Sequence, residues 1–366
     1  MVASTMIMIN EVLKAYGLQA NATVVPFGHG LINNTWKIED DKGTFILQRI
    51  NTSIFKHPAY ISDNINAISH YLAVHYPGYF FCTPISTPKL DNIVYSAEGC
   101  FRMYPFVGNS HTIDVAENPH QAYEASRKFG ELTRLLASFP VYKLKITLPD
   151  FHNISLRYKH FLKAVAEGNK ERIETSASLI EFLNSQQHIV SEYEKLKATE
   201  ALKLRVMHHD TKINNVLFDK NNKGICVIDL DTLMPGYFIS DVGDMIRTYI
   251  SPFGEEEQEL SKLEVREDYF IAIAKGYLHE MLAELNATEL QHFVFAGKFM
   301  IYMQALRFLS DYLNNDVYYG SKYEGHNFIR AGNQAHLLKL LIEKEERFQA
   351  IVLDIAAVKM KVKPAV

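Results

Sequence analysis

The residues best suited to chemistry lie between positions 206 and 231. Val206-Met207 leads into His208-His209-Asp210, four residues separate Asp210 from Asn215, and the apolar run Val216-Leu217-Phe218 follows. The segment from Asp219 to Gly224 is dense in turn formers, and a second apolar run then ends on Asp229. Folded as a hairpin, the stretch brings Asp210, Asn215 and Asp229 to one end. A carboxylate beside an Asn/Asp pair of hard oxygen ligands is the donor set of metal-assisted phosphoryl transfer. Asp210 would orient and deprotonate a hydroxyl, while Asn215 and Asp229 would hold Mg²⁺ on nucleotide phosphates. The plain alternative is a surface hairpin with polar ends, and the spacing within its hairpin context argues against it.

The flanking residues extend this chemistry. Lys212 gives the spacing Asp-x-Lys-x-x-Asn, in which the lysine contacts the transferred phosphate; otherwise it is a solvated loop residue. His208 is expected to pack beneath the loop. Asp231 shares a face with Asp229 if the strand continues, and would then join the metal site or touch substrate; a turn cap is the alternative. Asp241 and Asp244 fall in the first turn of a helix, where they either brace the loop by accepting its N–H groups or simply cap the helix. Arg307 lies mid-helix ahead of Tyr318 and Tyr319. Arginine donates to hydroxyls and aromatic faces stack on sugar rings, so this is a candidate acceptor pocket; an Arg307–Asp311 pair at i,i+4 is equally open. The acidic run Glu255-Glu256-Glu257 is placed in a loop and reads as a solvated helix start rather than as the acidic wall of an acceptor pocket.

The rest of the chain must position these groups. Residues 6–16 have helical periodicity and stop at Gly17. Residues 20–26 are β-rich, and the turn after them carries Gly28 and Gly30, whose backbone would lie over phosphates, with Asn33 and Thr35 just beyond. The strand Thr44–Ile50 should carry a nucleotide-contacting side chain. Gln48 and Arg49 are the candidates; they point to opposite faces, and the pattern alone does not choose. The helix at 62–75 has no Glu to pair with a strand lysine. Runs at 82–88, 93–96 and 100–107 complete an antiparallel sheet of about five strands, the last serving as a hinge near 101–108 whose backbone at Tyr104 and Phe106 would bond an adenine. Pro105 fits an edge strand equally well. Helices then dominate: 119–137 with Asn118 as cap, 157–166, 171–184, 190–201, 240–251, 264–285, 287–315 and 331–358. The expectation is an α+β, two-lobed protein-kinase-like fold, with a small antiparallel β N-lobe at 1–107 and a large helical C-lobe at 108–366.

Composition sets outer bounds. With 366 residues, 48% of them hydrophobic, the chain can bury a large core. A net charge of −4 without a basic run argues against a nucleic-acid partner. Cys82, Cys100 and Cys226 have no metal-type spacing, and so sparse a set fits a reducing cytoplasm. No signal peptide or membrane-spanning run is expected.

His209-Asp210-Thr211-Lys212-Ile213-Asn214-Asn215-Val216-Leu217 and Ile228-Asp229-Leu230-Asp231-Thr232-Leu233-Met234-Pro235-Gly236 together resemble the aminoglycoside phosphotransferase/choline kinase superfamily. Within it the chain is most similar to the N-acetylhexosamine 1-kinases, through Gly30–Thr35, Ile46–Phe55, Asp241–Arg247 and Arg307–Leu313. The resemblance implies ATP- and Mg²⁺-dependent phosphorylation of the anomeric hydroxyl of GlcNAc or GalNAc. Asp210 would be the base, Asn215 and Asp229 the metal ligands, and Arg307 and Tyr318 parts of the sugar pocket. Two departures stand out: Leu31 where the family has His, and Thr248 where an aromatic follows the helix Arg. Kinases of choline, homoserine or aminoglycosides, and a nucleotide-binding pseudokinase lacking the usual strand Lys and helix Glu, are the alternatives.

Overall fold

The computed structural model describes residues 2–28 and 32–362, with the side chains of 2–8 and 361–362 left aside. Gly30 and Leu31, singled out above, lie outside the described residues. The chain divides into two compact units: residues 1–110, 138–149 and 226–235 form the smaller, and 111–137, 150–225 and 236–366 the larger. A five-stranded antiparallel sheet in the first and helices through the second make this a protein-kinase-like α+β fold.

In the smaller unit the strands are β1 (Thr23–Pro26), β2 (Asn34–Asp40), β3 (Gly43–Ile50), β4 (Val94–Ser96) and β5 (Gly99–Pro105), in the order β1-β2-β3-β5-β4. Helix α1 (Val2–Ala15) places Ile9, Val12 and Leu13 on one apolar face, and these pack with Ile38, Leu47, Phe101 and Met103 of the sheet. The run 82–88 forms no strand, although the Ile85 N–H donates to Met103 O at 2.7 Å. β5 is central rather than at an edge, and Pro105 is tolerated there because it is the last residue, beyond the reach of β4. Helix α2 (Pro58–His75) starts four residues before Ser62, with proline in its first turn, where a missing N–H costs nothing. Its buried Asn64 exchanges bonds with Lys145 N and O and donates to Leu233 O at 2.8 Å.

The larger unit opens with Pro119–Leu135, capped by the Asn118 side chain on Gln121 N. It packs along Glu267–Met281, while Phe293–Leu313 runs between His326–Glu343 and Phe238–Tyr249. Gly243 allows that last approach: a Cβ there would sit 2.3 Å from Ala296 O. Several long helical runs are interrupted, at Ser176, at His292 and at Lys344. None of these positions is Gly or Pro, so periodicity reads straight through them. Among the described residues no helix is long and apolar enough to cross a membrane.

Candidate active site

The loop after strand Arg205–Met207 is held by the helix Phe238–Tyr249. Asp241, fully buried, accepts the His208 N–H at 3.1 Å and the His209 N–H at 2.7 Å. Thr211 Oγ1 donates to the Asp241 carbonyl, and the Tyr249 hydroxyl donates to the Thr211 carbonyl. Asp241, and not Asp244, is therefore the brace. His209 needs it, because its backbone is left-handed (φ 67°). A non-glycine residue in that region costs roughly 1–3 kcal/mol unless its surroundings hold it. Gly236 completes the seat: a Cβ there would fall 2.3 Å from His209 Cε1.

Beyond this anchored segment come Asp210, Lys212 and Asn215. Lys212 Nζ lies 3.1 Å from Asp210 Oδ1, and Asn215 Nδ2 donates to the Asp210 carbonyl at 2.8 Å and to Asp210 Oδ2 at 3.2 Å. Asn215 turns its amide nitrogen toward Asp210, so its side-chain oxygen is the atom left to act as acceptor or ligand. A hard oxygen donor of this kind suits Mg²⁺, which takes one or two protein oxygens and completes its shell with water and phosphate. His208 supports the loop: its Nδ1 accepts the Asp210 N–H and its ring meets Phe129 edge-on at 5.1 Å. From Val216–Phe218 the chain enters a hairpin whose turn is tied by Asp219 Oδ1 to the N–H groups of Asn221 and Lys223.

Charge is graded around the loop. Burial pushes the Asp210 carboxyl up, but Lys212 and His208 outweigh it and hold it below the usual range. Burial dominates at Asp241, which is pushed up to about 7 against the pull of its two N–H donors. Asp244 is raised by burial although Arg247 donates to its Oδ1 at 2.8 Å. Arg247 also meets Glu255 at 3.0 Å, and Glu255 in turn pairs with Arg330. Glu255 is therefore not a solvated helix start. It lies in a loop and joins two arginines that pattern alone did not connect.

A second cluster in the larger unit surrounds Arg307. The alternative of an Arg307–Asp311 pair is not formed: Arg307 donates to Gln304, and Asp311 accepts the N–H groups of Tyr318 and Tyr319 at 2.7 and 2.9 Å. Arg307 lies 5.4 Å from the Tyr319 ring and 6.0 Å from that of Tyr318, and Arg330 lies 5.2 Å from Tyr319 on its own account. Arg157 donates to the carbonyls of Asp150 and Phe151 while its buried Nε has no partner, and the Tyr319 hydroxyl is likewise buried and unpartnered. Burial and Arg307 lower the Arg157 guanidinium. His152, on Ser240 Oγ at 2.9 Å, is pushed far down by burial, by His209 and by the three arginines Arg307, Arg247 and Arg157, so it is neutral at pH 7. The cluster is cationic and rich in donors, and among the described residues neither Arg157 nor Arg307 has a carboxylate within ion-pair distance.

In the smaller unit, Thr35, Gln48 and Arg102 stand opposite one another across β2, β3 and β5 and so share a face. Gln48 Oε1 accepts from Arg102 Nε and Nη2 at 3.1 and 2.9 Å, and Gln48 Nε2 reaches Thr35 Oγ1 at 3.4 Å. Arg49 points the other way, onto the exposed Asn34 side chain at 2.7 Å. The strand before Asp229 ends at Val227. Asp229 takes a left-handed backbone (φ 55°) and opens a 3₁₀ turn, Leu230–Thr232. Asp231 does not continue a strand face: it is buried, in an ion pair with Arg102 and accepting from Asn33 Nδ2 at 2.8 Å. At the hinge, the Phe106 N–H donates to Thr44 O at 3.0 Å. Tyr104 is partly buried beside Arg102, and burial raises its phenol. Gly28 has a positive φ of 75° with open space around it. The residue pattern missed Arg102, although an arginine inside the apolar run Cys100–Met103 is itself a sign of a buried partner.

Comparison with known proteins settles the family. The model of the family described as "APH: Phosphotransferase enzyme family" matches residues 23–307. The chain belongs to this family. It is therefore a member of a phosphotransferase enzyme family. Among solved structures, a microcompartment-associated aminopropanol kinase is similar at 14% identity and a TM-score of 0.64, covering 94% of this chain and 98% of that one. The ethanolamine kinase of Plasmodium vivax gives 14% and 0.59 over 93% and 90% of the two chains. A spectinomycin phosphotransferase solved with ADP and spectinomycin gives 14% and 0.55 over 93% and 98%. At such identities the likeness is one of fold.

Proposed function

We propose that this phosphotransferase uses ATP to phosphorylate the anomeric hydroxyl of an N-acetylhexosamine, GlcNAc or GalNAc, to the 1-phosphate. The observation that carries the reading is the donor-rich, cationic cluster of Arg307, Arg157, Tyr318 and Tyr319. An acceptor bearing an ammonium group needs acidic walls, whereas guanidinium and phenol donors suit hydroxyl and acetyl oxygens. Asp210 takes the proton of the hydroxyl as the hydroxyl oxygen bonds to the γ-phosphorus and the bond to the departing ADP oxygen breaks. Lys212 moves from Asp210 to the transferred phosphoryl group. Asn215 and Asp229 offer their side-chain oxygens to Mg²⁺, which when bound neutralises charge on the phosphates. Arg307 and Tyr318 orient the sugar, and residues of the glycine turn, with Thr35 and Gln48, face the nucleotide.

An ATP-consumption screen over GlcNAc, GalNAc, glucosamine, choline, ethanolamine, homoserine and kanamycin tests this. Turnover of the N-acetylhexosamines and none of the cationic acceptors is expected. Preference for choline or ethanolamine would overturn the sugar assignment, and tight ADP binding without turnover of any acceptor would mark a pseudokinase.

A further inference from the structure

The smaller unit poses a question of its own. Kinases commonly fix the nucleotide side of their site with a strand lysine paired to a helix glutamate. Here β3 presents Gln48 and α2 has no Glu in that role. What the unit has instead is one buried carboxylate, Asp231, on which distant segments converge. Arg102 of β5 forms an ion pair with it and Asn33, just past the glycine turn, donates to it at 2.8 Å. Gln48 of β3 joins through the Arg102 guanidinium at 2.9 and 3.1 Å. Asn33 also accepts the Asn51 N–H at 3.0 Å, tying in the end of β3. Just after Asp231, Asn64 of α2 holds Leu233 O at 2.8 Å. The 3₁₀ turn Leu230–Thr232 is thus gripped from the sheet and from the helix, and Asp229 stands at its start in a left-handed conformation.

We propose that Arg102 is a positioning residue for the metal ligand Asp229, acting through Asp231 and supplying the buried cation that β3 lacks. The inference rests on the metal role given to Asp229 in the proposed function. Of the two carboxylates in Ile228-Asp229-Leu230-Asp231, Asp231 is committed to the scaffold, where Arg102 neutralises it, and it anchors the 3₁₀ turn at whose start Asp229 stands. Asn33 and Gln48 extend the same anchor to the residue that precedes β2 and to β3. Outer partners of this kind orient a ligand without touching the metal.

The test is calorimetric titration of the full chain with ADP, once with MgCl₂ and once with EDTA, alongside thermal unfolding of each apo variant. For Arg102→Lys and Asp231→Asn the affinity for ADP with Mg²⁺ should fall about 10–100-fold, as loss of an outer-shell partner does, while the affinity in EDTA stays within about twofold. Asn33→Ala keeps both buried charges and should show the same split more weakly, which covers the case in which the charge variants fail to fold. Equal weakening in Mg²⁺ and in EDTA, or no weakening in either, overturns the proposal. If the wild type itself gains nothing from Mg²⁺, the metal role of Asp229 falls and this inference with it. If the wild type gains and the variants match it, this inference alone falls.

Discussion

Lys212 Nζ sits 3.1 Å from Asp210 Oδ1, so the base of the proposed reaction is held in an ion pair with the cation that follows it two residues later. The pairing lowers the basicity of Asp210 in the empty enzyme. When Lys212 turns to a phosphate, the carboxylate becomes a better proton acceptor at the point where one is needed.

Replacing Lys212 by Met should therefore raise the Asp210 pKa. The acidic limb of the pH dependence of kcat/KM then moves to higher pH, and kcat falls because the phosphate contact is lost too. Asp210→Asn should lower kcat by about 10²–10⁴-fold, the usual span for loss of a general base. An unmoved acidic limb in Lys212→Met would remove the coupling, and wild-type turnover in Asp210→Asn would remove the base.

Asp241 gives a pH dependence of stability with a defined sign. Its carboxyl is raised from 3.8 to about 7 by burial, so the folded state favours the protonated form. That contribution is complete below pH 3.8, declines as pH rises from there, and is lost above about 7. Wild-type stability should fall relative to Asp241→Asn between pH 4 and 7, by up to roughly 4 kcal/mol at about 1.4 kcal/mol per pKa unit. Urea unfolding at several pH values reads it, and parallel curves for the two proteins would refute it.

Gly236→Ala should disturb the loop with little change in helix content. The added Cβ would fall 2.3 Å from His209 Cε1 and 2.6 Å from its Nε2, a clash that His209, already in a left-handed backbone, cannot relieve by a simple rotation. A destabilisation of about 1–3 kcal/mol is expected from such overpacking. Turnover should fall further than stability accounts for. Thermal unfolding and kinetics on the same sample check both.

Arg307→Ala should raise the KM for the acceptor about tenfold or more, as loss of a hydrogen bond from a charged donor of about 1.5–3 kcal/mol implies, with the KM for ATP unchanged. Arg307→Lys should recover only part of the loss, since an ammonium cannot reproduce the planar fork. An unaltered acceptor KM in the alanine variant takes Arg307 out of the pocket.

Much of this architecture is legible from residue order. The turn at Asp219–Gly224, the Asn118 cap and the apolar face of Ile9, Val12 and Leu13 are local signals, decided by residues a few positions apart, and the structure keeps them. The helix breaks at His292 and Lys344 escaped because no Gly or Pro marks them.

What the sequence by itself determined is the chemical inventory and its local frame: Asp210, Lys212 and Asn215 on one loop, a β-rich beginning, and helices after it. Three matters were left to tertiary structure. Asp241 rather than Asp244 braces the loop, Asp311 holds the Tyr318–Tyr319 backbone rather than Arg307, and Gln48 rather than Arg49 shares a face with Arg102, which binds Gln48 and Asp231 together. Asp231 lies 198 residues from Asn33, and nothing local says which buried carboxylate will meet which donor. That pairing is set only when the fold removes both from water and each must find a partner.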